Sequence, residues 1–329
     1  MILAGDIGGT STRLASFQII AGRLNATHEE VYPSRLNRSL IDVIRKFSEA
    51  HGQSVEQACF GLSGPVRDGR GKASNLPWFV DAAELRRELA IGAVFVINDL
   101  EANAYGISEL TENDFVVLNQ GSPGALANAA VISAGTGLGE AGLYWDGKRH
   151  RPFATEGGHV DFAPRNKLES DLLRYLEQTY AHVSYERVLS GPGLLNIYRF
   201  LRDTGRGKES ASVAIAMGSD DPSAVIAQAA LAASCPLCEQ ALDLFVSIYG
   251  AAAGNLVLKL MATGGLYLGG GIAPKIIEKL EGGRFLAAFT AKGRLAPLCE
   301  ATPVRVITNA KTALLGAARY CALQAQLLS

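Results

Sequence analysis

The chain has 329 residues, of which 48% are hydrophobic and 19% charged, and its formal net charge is −1. This length supports two domains, and the composition is typical of globular proteins. The near-neutral charge excludes the basic field by which proteins bind nucleic acid or an anionic membrane, so we expect neither partner. Five scattered cysteines and the absence of a secretory signal after Met1 favour the cytoplasm.

The first predicted element is a β-hairpin with a glycine-rich tip. Apolar residues 2–4 begin a buried strand, residues 13–17 resume an extended pattern, and the tip between them contains Asp-Ile-Gly-Gly-Thr. Glycines allow the close backbone approach that a phosphate cradle needs, Thr10 adds a hydroxyl donor, and Asp6 can hold a hydrated Mg²⁺. A plain hairpin turn is the simpler interpretation of one glycine pair, so this tip alone leaves both open.

Helices and strands then alternate through the first half of the chain. Helical spacing of apolar residues predicts helices at 39–50, 82–89 and 101–110. Apolar runs predict strands at 58–62 and 93–97. This alternation indicates an α/β fold.

Asn98 and Asp99 close the most hydrophobic strand of this half. Polar groups at the carboxyl ends of strands face the ligand crevice of α/β folds. A kinase that acts on an alcohol needs a carboxylate to accept the hydroxyl proton, which suits Asp99, while Asn98 can bind an adjacent hydroxyl. Asp99 also stands where the N-cap of the next helix is expected, and the residues alone favour neither role.

The glycine hairpin recurs in the second half. An apolar strand at 131–134 leads into a Gly-Thr-Gly-Leu-Gly tip at 135–139, and a second strand returns at 141–145. The chain lacks the P-loop pattern, and its glycine runs open hairpins rather than the helices of a dinucleotide-binding unit. Two facing tips that hold a triphosphate are therefore the leading hypothesis.

Glu156 and His159 lie three positions apart on a glycine-rich loop. Carboxylate and imidazole groups suit the recognition of sugar hydroxyls, because a missing hydroxyl leaves a polar partner unmet. A zinc role for His159 is not expected without a companion ligand. A lone loop histidine is more often structural, so its role stays open on the residues alone.

The region 168–261 is predicted to be rich in helices, with a helical stretch at 224–261. Cys235 and Cys238 form a CxxC pair there, but one pair supplies half the ligands of a structural zinc site, so we interpret both as small core residues. The apolar run 244–258 contains two glycines and an asparagine, and we expect no membrane span.

Three further elements are predicted near the C-terminus. A short strand at 266–268 is followed by three glycines, and a second strand lies at 304–307. A helix with an apolar stripe occupies 313–327.

Five blocks of the chain, in order, resemble bacterial glucokinases of the hexokinase/actin-like ATPase superfamily: GDIGGTSTRLASF, VFVINDLEANAYGI, SAGTGLGEAGLYWDGK, EGGHVDFAP and ERVLSGPGLLNIYR. The resemblance implies a two-lobed α/β fold with the active site in the interdomain cleft. It implies a small domain at 1–110, completed by the C-terminal helix at about 301–329, and a large domain at 111–300. The family commonly has Asn after GDIGGT, where this chain has Ser11, which puts a nucleotide contact from that position in doubt.

The resemblance implies ATP-dependent phosphorylation of glucose at the 6-hydroxyl, with Mg²⁺ and in a homodimer. Asp99 is implied as the catalytic base. Sugar contacts are implied for Asn98, Asp99, Glu156, His159 and Glu186, with Ser63 and Asn75 at the pocket rim. Nucleotide contacts are implied for Gly5, Asp6, Ile7, Gly8, Gly9, Thr10, Gly135, Thr136, Gly137 and Gly270, and Asp6 is the candidate Mg²⁺ ligand. Without the resemblance, the sequence favours an exposed surface position for Glu186 and turn-forming roles for Ser63 and Asn75.

Alternatives remain open. The sugar can be another hexose, such as mannose or fructose, and the donor another nucleotide. A sugar-sensing regulator of the same fold would be expected to carry an added helix-turn-helix or basic segment. The related ROK sugar kinases carry a Cys/His zinc motif after their EGGH block, whereas residues 160–164 here contain no cysteine.

Overall fold

The computed structural model describes residues 1–52, 54–122, 124 and 126–328. The chain divides into two compact units. Unit 1 comprises Met1–Asp114, Pro152–Ala154 and Asn309–Ser329, and unit 2 comprises Phe115–Arg151 and Thr155–Thr308. The final segment of unit 1 begins later than 301 because the strand Val304–Ile307 pairs within the sheet of unit 2.

The helices and strands follow in chain order. The strands are β1 (Ile2–Ile7), β2 (Ser11–Ile20), β3 (Arg23–Pro33), β4 (Gln57–Leu62), β5 (Val66–Arg67), β6 (Arg70–Lys72), β7 (Phe79–Asp81), β8 (Ala93–Asn98), β9 (Phe115–Asn119), β10 (Ala129–Ala134), β11 (Leu138–Trp145), β12 (His150–Thr155), β13 (Gly265–Gly269) and β14 (Val304–Ile307). The helices are α1 (Leu40–His51), α2 (Ala82–Glu88), α3 (Asp99–Gly106), α4 (Lys167–Glu177), α5 (Gly191–Asp203), α6 (Ala211–Ser219), α7 (Pro222–Leu231), α8 (Pro236–Leu260), α9 (Ile277–Glu281), α10 (Arg284–Thr290), α11 (Ala296–Glu300) and α12 (Thr312–Gln324).

Unit 1 is built on a mixed sheet with strand order β3-β2-β1-β4-β8. Strands β1, β4 and β8 are parallel, and the register pairs Ile7 with Leu62 and Leu62 with Asn98. Their carboxyl ends therefore align at one edge of the sheet. Helix α12 packs against this sheet and against α3, where a Cβ on Gly316 would lie 1.7 Å from the Ala102 carbonyl oxygen. Only glycine permits this close helix contact.

Unit 2 contains a sheet with strand order β12-β11-β10-β13-β14-β9. The hairpin β10–β11 is antiparallel, and β13 lies parallel to β10. Unit 1 has the same arrangement, with hairpin β1–β2 beside the parallel strand β4. Both units thus combine a hairpin with parallel strands, which confirms the α/β class.

Helix α8 forms the centre of the unit 2 core. Within the described residues it is the helix long and apolar enough to cross a membrane, and 78% of its apolar window is buried. Its apolar run contains Gly250 and Gly254, and the helix predicted over this stretch continues through both. A Cβ on Gly250 would lie 2.1 Å from the Phe285 carbonyl oxygen, so this glycine admits the backbone of α10.

The predicted helical stretch 224–261 is two helices rather than one. Helix α7 ends at Leu231, and α8 begins at Pro236 after an extended Cys235. Proline disfavours a helical conformation at the residue before it, which explains the break.

Candidate active site

Asn98 and Asp99 lie where β8 ends and α3 begins. The Asn98 Nδ2 donates to the Gly64 carbonyl oxygen (3.0 Å), and its Oδ1 accepts from the Leu100 backbone N–H (2.9 Å). Asn98 is therefore the N-cap of α3, and the interpretation of Asp99 as the cap was wrong. Asp99 is the first helical residue, and its Oδ1 also accepts from the Leu100 N–H (2.9 Å). Both side chains are half-buried at the edge of the sheet.

The β1–β2 tip lies against the two rim residues. A Cβ on Gly9 would lie 3.2 Å from the Asn75 Cβ, and Asn75 adopts a left-handed φ of 62°. The Ser63 backbone N–H donates to the Ile7 carbonyl oxygen (3.1 Å). Because Asn98 bonds to Gly64, beside Ser63, the tip and the ends of β4 and β8 meet at one edge of unit 1.

The residues of the first tip are not equivalent. A Cβ on Gly5 would lie 2.6 Å from the Phe60 ring, so this glycine is required by core packing. Ile7 is fully buried, and the Gly8 N–H closes the turn on the Ser11 carbonyl oxygen (3.0 Å). Thr10 is exposed at the tip.

Asp6 lies on β1 next to this tip and pairs across the strands with Arg13. Burial raises the pKa of the Asp6 carboxyl, and the positive charge of Arg13 acts in the opposite direction. Arg13 was not identified from the sequence, although its position across the hairpin from Asp6 was a usable signal. The pair places a buried carboxyl group next to a positive charge at this edge of unit 1.

The second glycine tip is fixed from several sides within unit 2. The Gly135 N–H donates to the Gly137 carbonyl oxygen (2.9 Å), and the Gly191 N–H donates to the Gly135 carbonyl oxygen (2.8 Å). Gly270 has a φ of 80°, and a Cβ there would lie 2.3 Å from the Ala134 carbonyl oxygen. The turn after β13 and the start of α5 therefore both abut the β10–β11 hairpin, whose Thr136 is exposed.

A pocket of about 570 Å³ opens beside this second tip. Its walls come from the hairpin, the starts of α5 and α7, and the turn after β13. The lining includes Gly135, Thr136, Gly191, Leu195, Asp221, Ser223, Gly271, Ile272 and Lys275. Asp221 caps α7 by accepting from the Ser223 N–H (2.9 Å), and hydrogen bonds from Ser223 lower its pKa. Asp221 followed by Pro222 is a helix-start signature that could have directed attention to this wall.

The EGGH block forms a short 3₁₀ turn at Gly157–His159. Glu156 and His159 are exposed, and the His159 N–H donates to the Glu156 carbonyl oxygen (3.0 Å). The Thr155 hydroxyl accepts from the Gly157 N–H (3.1 Å). This turn presents both side chains outward.

Glu186 lies on a second 3₁₀ turn, Tyr185–Arg187. Its Oε2 accepts from the backbone N–H of Leu138 (3.1 Å), which lies in the second glycine tip and is the first residue of β11. The Tyr185 N–H donates to the Val160 carbonyl oxygen (3.0 Å), which joins this turn to the EGGH block. Glu186 is thus connected to both the glycine tip and the EGGH block.

Cys235 and Cys238 are both buried, and burial raises the pKa of the Cys238 thiol. Among the described residues, no group of three or more His, Cys, Asp or Glu side chains could hold a metal ion.

Comparisons with known proteins agree with these features. The family model described as Glucokinase matches residues 3–324. A curated glucokinase of Nostoc sp. (strain PCC 7120 / SAG 25.82 / UTEX 2576) is 44% identical over 334 residues, covering 97% of this chain and 98% of the relative. A solved glucokinase from an Antarctic psychrotroph has a TM-score of 0.84 at 30% identity and covers 98% of both chains. A ROK family glucokinase from Streptomyces griseus, solved with glucose and AMPPNP, has a TM-score of 0.65 at 19% identity, covering 98% and 99%, which shows the fold alone.

Proposed function

The chain belongs to the glucokinase family and has its actin-like ATPase fold, and we propose that it transfers the terminal phosphoryl group of ATP to the 6-hydroxyl of glucose. The activity is the phosphorylation of glucose, with glucose 6-phosphate and ADP as products. The observation that carries the mechanism is the carboxylate of Asp99 at the carboxyl end of β8, beside an amide fixed by two hydrogen bonds.

Asp99 acts as the general base in this proposal. It accepts the proton of the 6-hydroxyl as the phosphoryl group transfers, a role that contributes about 10²–10⁴-fold to the rate. Asn98 binds a neighbouring hydroxyl, and its bonds to Gly64 and Leu100 support a fixed orientation. Since Asn98 caps α3, Asp99 is not needed as the cap.

Five further side chains are the proposed contacts of the remaining sugar hydroxyls. Glu156, His159 and Glu186 are proposed contacts in unit 2, and Ser63 and Asn75 in unit 1. Carboxylates accept hydrogen bonds from sugar hydroxyls. A hexose that lacks one of these hydroxyls leaves its protein partner without a hydrogen bond, which gives specificity. The exposure of Glu156 and His159 supports this role because both are accessible to a ligand.

ATP is the proposed donor. The proposed phosphate contacts are the glycine tips and the turn after β13: Gly5, Asp6, Ile7, Gly8, Gly9, Thr10, Gly135, Thr136, Gly137 and Gly270. Gly5 and Ile7 serve as backbone only, since packing occupies their side-chain positions. The 570 Å³ pocket beside Thr136 is large enough for a nucleoside, and the fold relative from Streptomyces griseus is described as a complex with AMPPNP.

Mg²⁺ fits the chemistry of Asp6. The pKa of this carboxyl is raised by burial, and a divalent cation beside it would offset the cost of its ionisation. One carboxylate suits Mg²⁺, which keeps several waters and binds substrate phosphates. When bound, the ion neutralises negative charge on the phosphates.

We also propose a cytoplasmic homodimer. All five cysteines are described residues with free, buried thiols, which suits a reducing compartment. The dimer rests on family resemblance alone. Light scattering of the purified protein, with a mass near 34.8 kDa or near twice that value, decides between monomer and dimer.

A coupled assay of the purified protein with ATP and Mg²⁺ tests the proposed function. Glucose, mannose and fructose are compared at equal concentrations, and we expect the highest kcat/KM for glucose. Higher kcat/KM for mannose or fructose would reassign the substrate. No turnover on any hexose would contradict the proposal.

A further inference from the structure

Glu140 is a buried acid that no part of the proposed mechanism uses. It lies on β11, opposite Ile132 of β10, and is 5% exposed. Its Oε2 would lie 2.0 Å from a Cβ on Gly157, so the carboxyl packs directly against the Gly157 backbone. The EGGH turn therefore rests on this carboxyl group.

The backbone around Glu140 supports the same turn. The Thr155 hydroxyl donates to the Glu140 carbonyl oxygen (2.9 Å) and accepts from the Gly157 N–H (3.1 Å). A Cβ on Gly158 would lie 2.0 Å from the Leu138 carbonyl oxygen. The first residues of β11 therefore pack directly against Gly157 and Gly158, and a side-chain atom at either glycine would displace the turn.

We propose that Glu140 is a positioning residue for the sugar-binding turn Gly157–His159. Its neutral carboxyl supports this turn, and its ionised carboxylate displaces the turn. This inference rests on the proposed function, because it assumes that Glu156 and His159 contact the sugar.

The surroundings of Glu140 favour its neutral form. Burial raises its pKa to about 7, and the positive charge of Lys259 on α8 acts in the opposite direction. Tyr249, also on α8, interacts electrostatically with Glu140, and burial raises its own pKa. Strand β10 brings no charged residue.

The turns next to the start of β11 carry further titratable side chains. Glu156 and His159 belong to the EGGH turn, and Glu186 is bonded to Leu138, two residues before Glu140. An ionised Glu140 carboxylate would lie against the Gly157 backbone in a buried place that disfavours its charge. Bound glucose would exclude water from the turn and disfavour that charge further.

By linkage, glucose affinity falls as pH rises if the complex keeps the Glu140 proton more strongly than the free protein. We expect the glucose Kd of the wild-type protein to rise about threefold more than that of Glu140→Gln between pH 6 and pH 8, since tenfold corresponds to a pKa change of one. Glutamine keeps the size of the side chain and stays neutral. All other titratable groups are present in both proteins, so the comparison isolates Glu140.

The experiment measures glucose Kd by calorimetry without nucleotide, and glucose KM and kcat, at pH 6, 7 and 8. Glu177→Gln, an exposed substitution on α4, is the matched control and should follow the wild-type profile. Parallel profiles for wild type and Glu140→Gln, with glucose bound by both, would overturn this inference but leave the proposed function intact. If neither the wild-type protein nor Glu140→Gln binds glucose, both this inference and the proposed function are overturned.

A double-mutant cycle tests the contact itself. Gly157→Ala should weaken glucose binding in the wild-type background, because the new methyl group collides with the Glu140 carboxyl. The loss should be smaller in the Glu140→Ala background, which removes the colliding atoms. Equal losses in both backgrounds would contradict the proposed contact, and the circular dichroism spectrum of each variant confirms that it is folded.

Discussion

At the scale of single residues, neighbouring positions of one motif have different tasks. Gly5 and Gly9 belong to the same glycine-rich tip, yet Gly5 makes room for Phe60 and Leu14, while Gly9 lies against Ser74 and Asn75. Asn98 and Asp99 are adjacent acceptors for the same Leu100 N–H, and the Asn98 side chain also donates to the Gly64 carbonyl oxygen. The second difference makes the role of Asp99 testable without disturbing the helix start.

Asp99→Asn should retain the fold and lose turnover. The amide keeps the shape and can still accept the Leu100 N–H, but it cannot take up a proton. We expect kcat to fall by about 10²–10⁴-fold. Glucose Kd should change by less than about tenfold, which is about 1.4 kcal/mol. Steady-state kinetics, calorimetry and thermal unfolding measure the three quantities.

Asp81→Asn is the control for this variant. Asp81 caps α2 by accepting from the Ala83 N–H (2.8 Å) and the Glu84 N–H (3.4 Å). Asparagine caps a helix about as well as aspartate, so kcat and stability should both stay near wild type. If Asp99→Asn behaved like Asp81→Asn, the assignment of Asp99 as the base would be wrong.

Glu156→Gln and His159→Ala should weaken glucose binding more than nucleotide binding. Each change removes or alters a hydrogen bond to a sugar hydroxyl, and an unmet buried partner costs about 1–3 kcal/mol. Calorimetry with glucose alone and with a nonhydrolysable ATP analogue alone separates the two affinities. A collapse of nucleotide affinity with unchanged glucose affinity would place the EGGH block in the phosphate site.

At the scale of elements, the sequence was informative where periodicity or a cap was strong. Helix α1 begins one residue after the predicted start, because Ser39 is the N-cap and accepts from the Asp42 N–H (3.2 Å). Helix α3 begins two residues before the predicted start, because Asn98 caps it. The break between α7 and α8 depends on Pro236, whose effect was hidden within a long apolar pattern.

The reason for the two glycines inside α8 could not be predicted from the sequence. Gly250 and Gly254 interrupt the apolar run, and glycine lowers helix propensity, so nothing local explains their place in a predicted helix. Their cause lies in tertiary contacts, since the Phe285 and Phe289 carbonyl oxygens occupy the places of their missing side chains. Such contacts between distant segments leave no local signal.

The Cys235→Ser variant should fold, and neither its stability nor its activity should depend on zinc. Cys235 occupies the N-cap position of α8 and makes no capping bond, whereas serine is a preferred N-cap worth about 0.5–2 kcal/mol over alanine. We expect equal or higher thermal stability and full activity with Mg²⁺ alone after extensive chelation.

The double variant Cys235→Ser with Cys238→Ser extends this test. We expect it to fold and to remain active, because a helical serine can bond to the carbonyl one turn before it. Stoichiometric zinc in the purified wild-type protein, or loss of folding in the double variant, would show that the CxxC pair binds a metal.

At the scale of the whole molecule, the two units repeat one arrangement of hairpin and parallel strand. The sequence revealed it because both tips carry Gly and Thr after apolar strands. The 570 Å³ pocket was not predicted, because its lining comes from segments as distant as Gly135, Ser223 and Lys275. Glu140 was missed for a similar reason, since nothing in the order of residues shows that its carboxyl lies against Gly157.

The raised pKa of Glu140 leads to a prediction for the stability of the molecule. Its pKa in the folded protein is about 7, above the ordinary value of 4.5. The folded state therefore binds the proton more strongly than the unfolded state, and this stabilisation is fully present below about pH 4.5 and lost as pH rises through about 7. The loss amounts to about 3 kcal/mol, because each unit of pKa difference is about 1.4 kcal/mol.

Glu140→Gln removes this dependence, because glutamine does not titrate. We expect the free energy of unfolding of the wild-type protein to fall relative to that of Glu140→Gln between pH 5 and pH 8, and to do so in the transition that reports unit 2. Urea denaturation followed by circular dichroism at each pH measures the difference. Hydrogen exchange of the α8 amides assigns it to unit 2, because that helix forms the core beneath Glu140. Parallel stability profiles would show that the Glu140 carboxyl titrates near its ordinary value, and that hydration reaches it in solution.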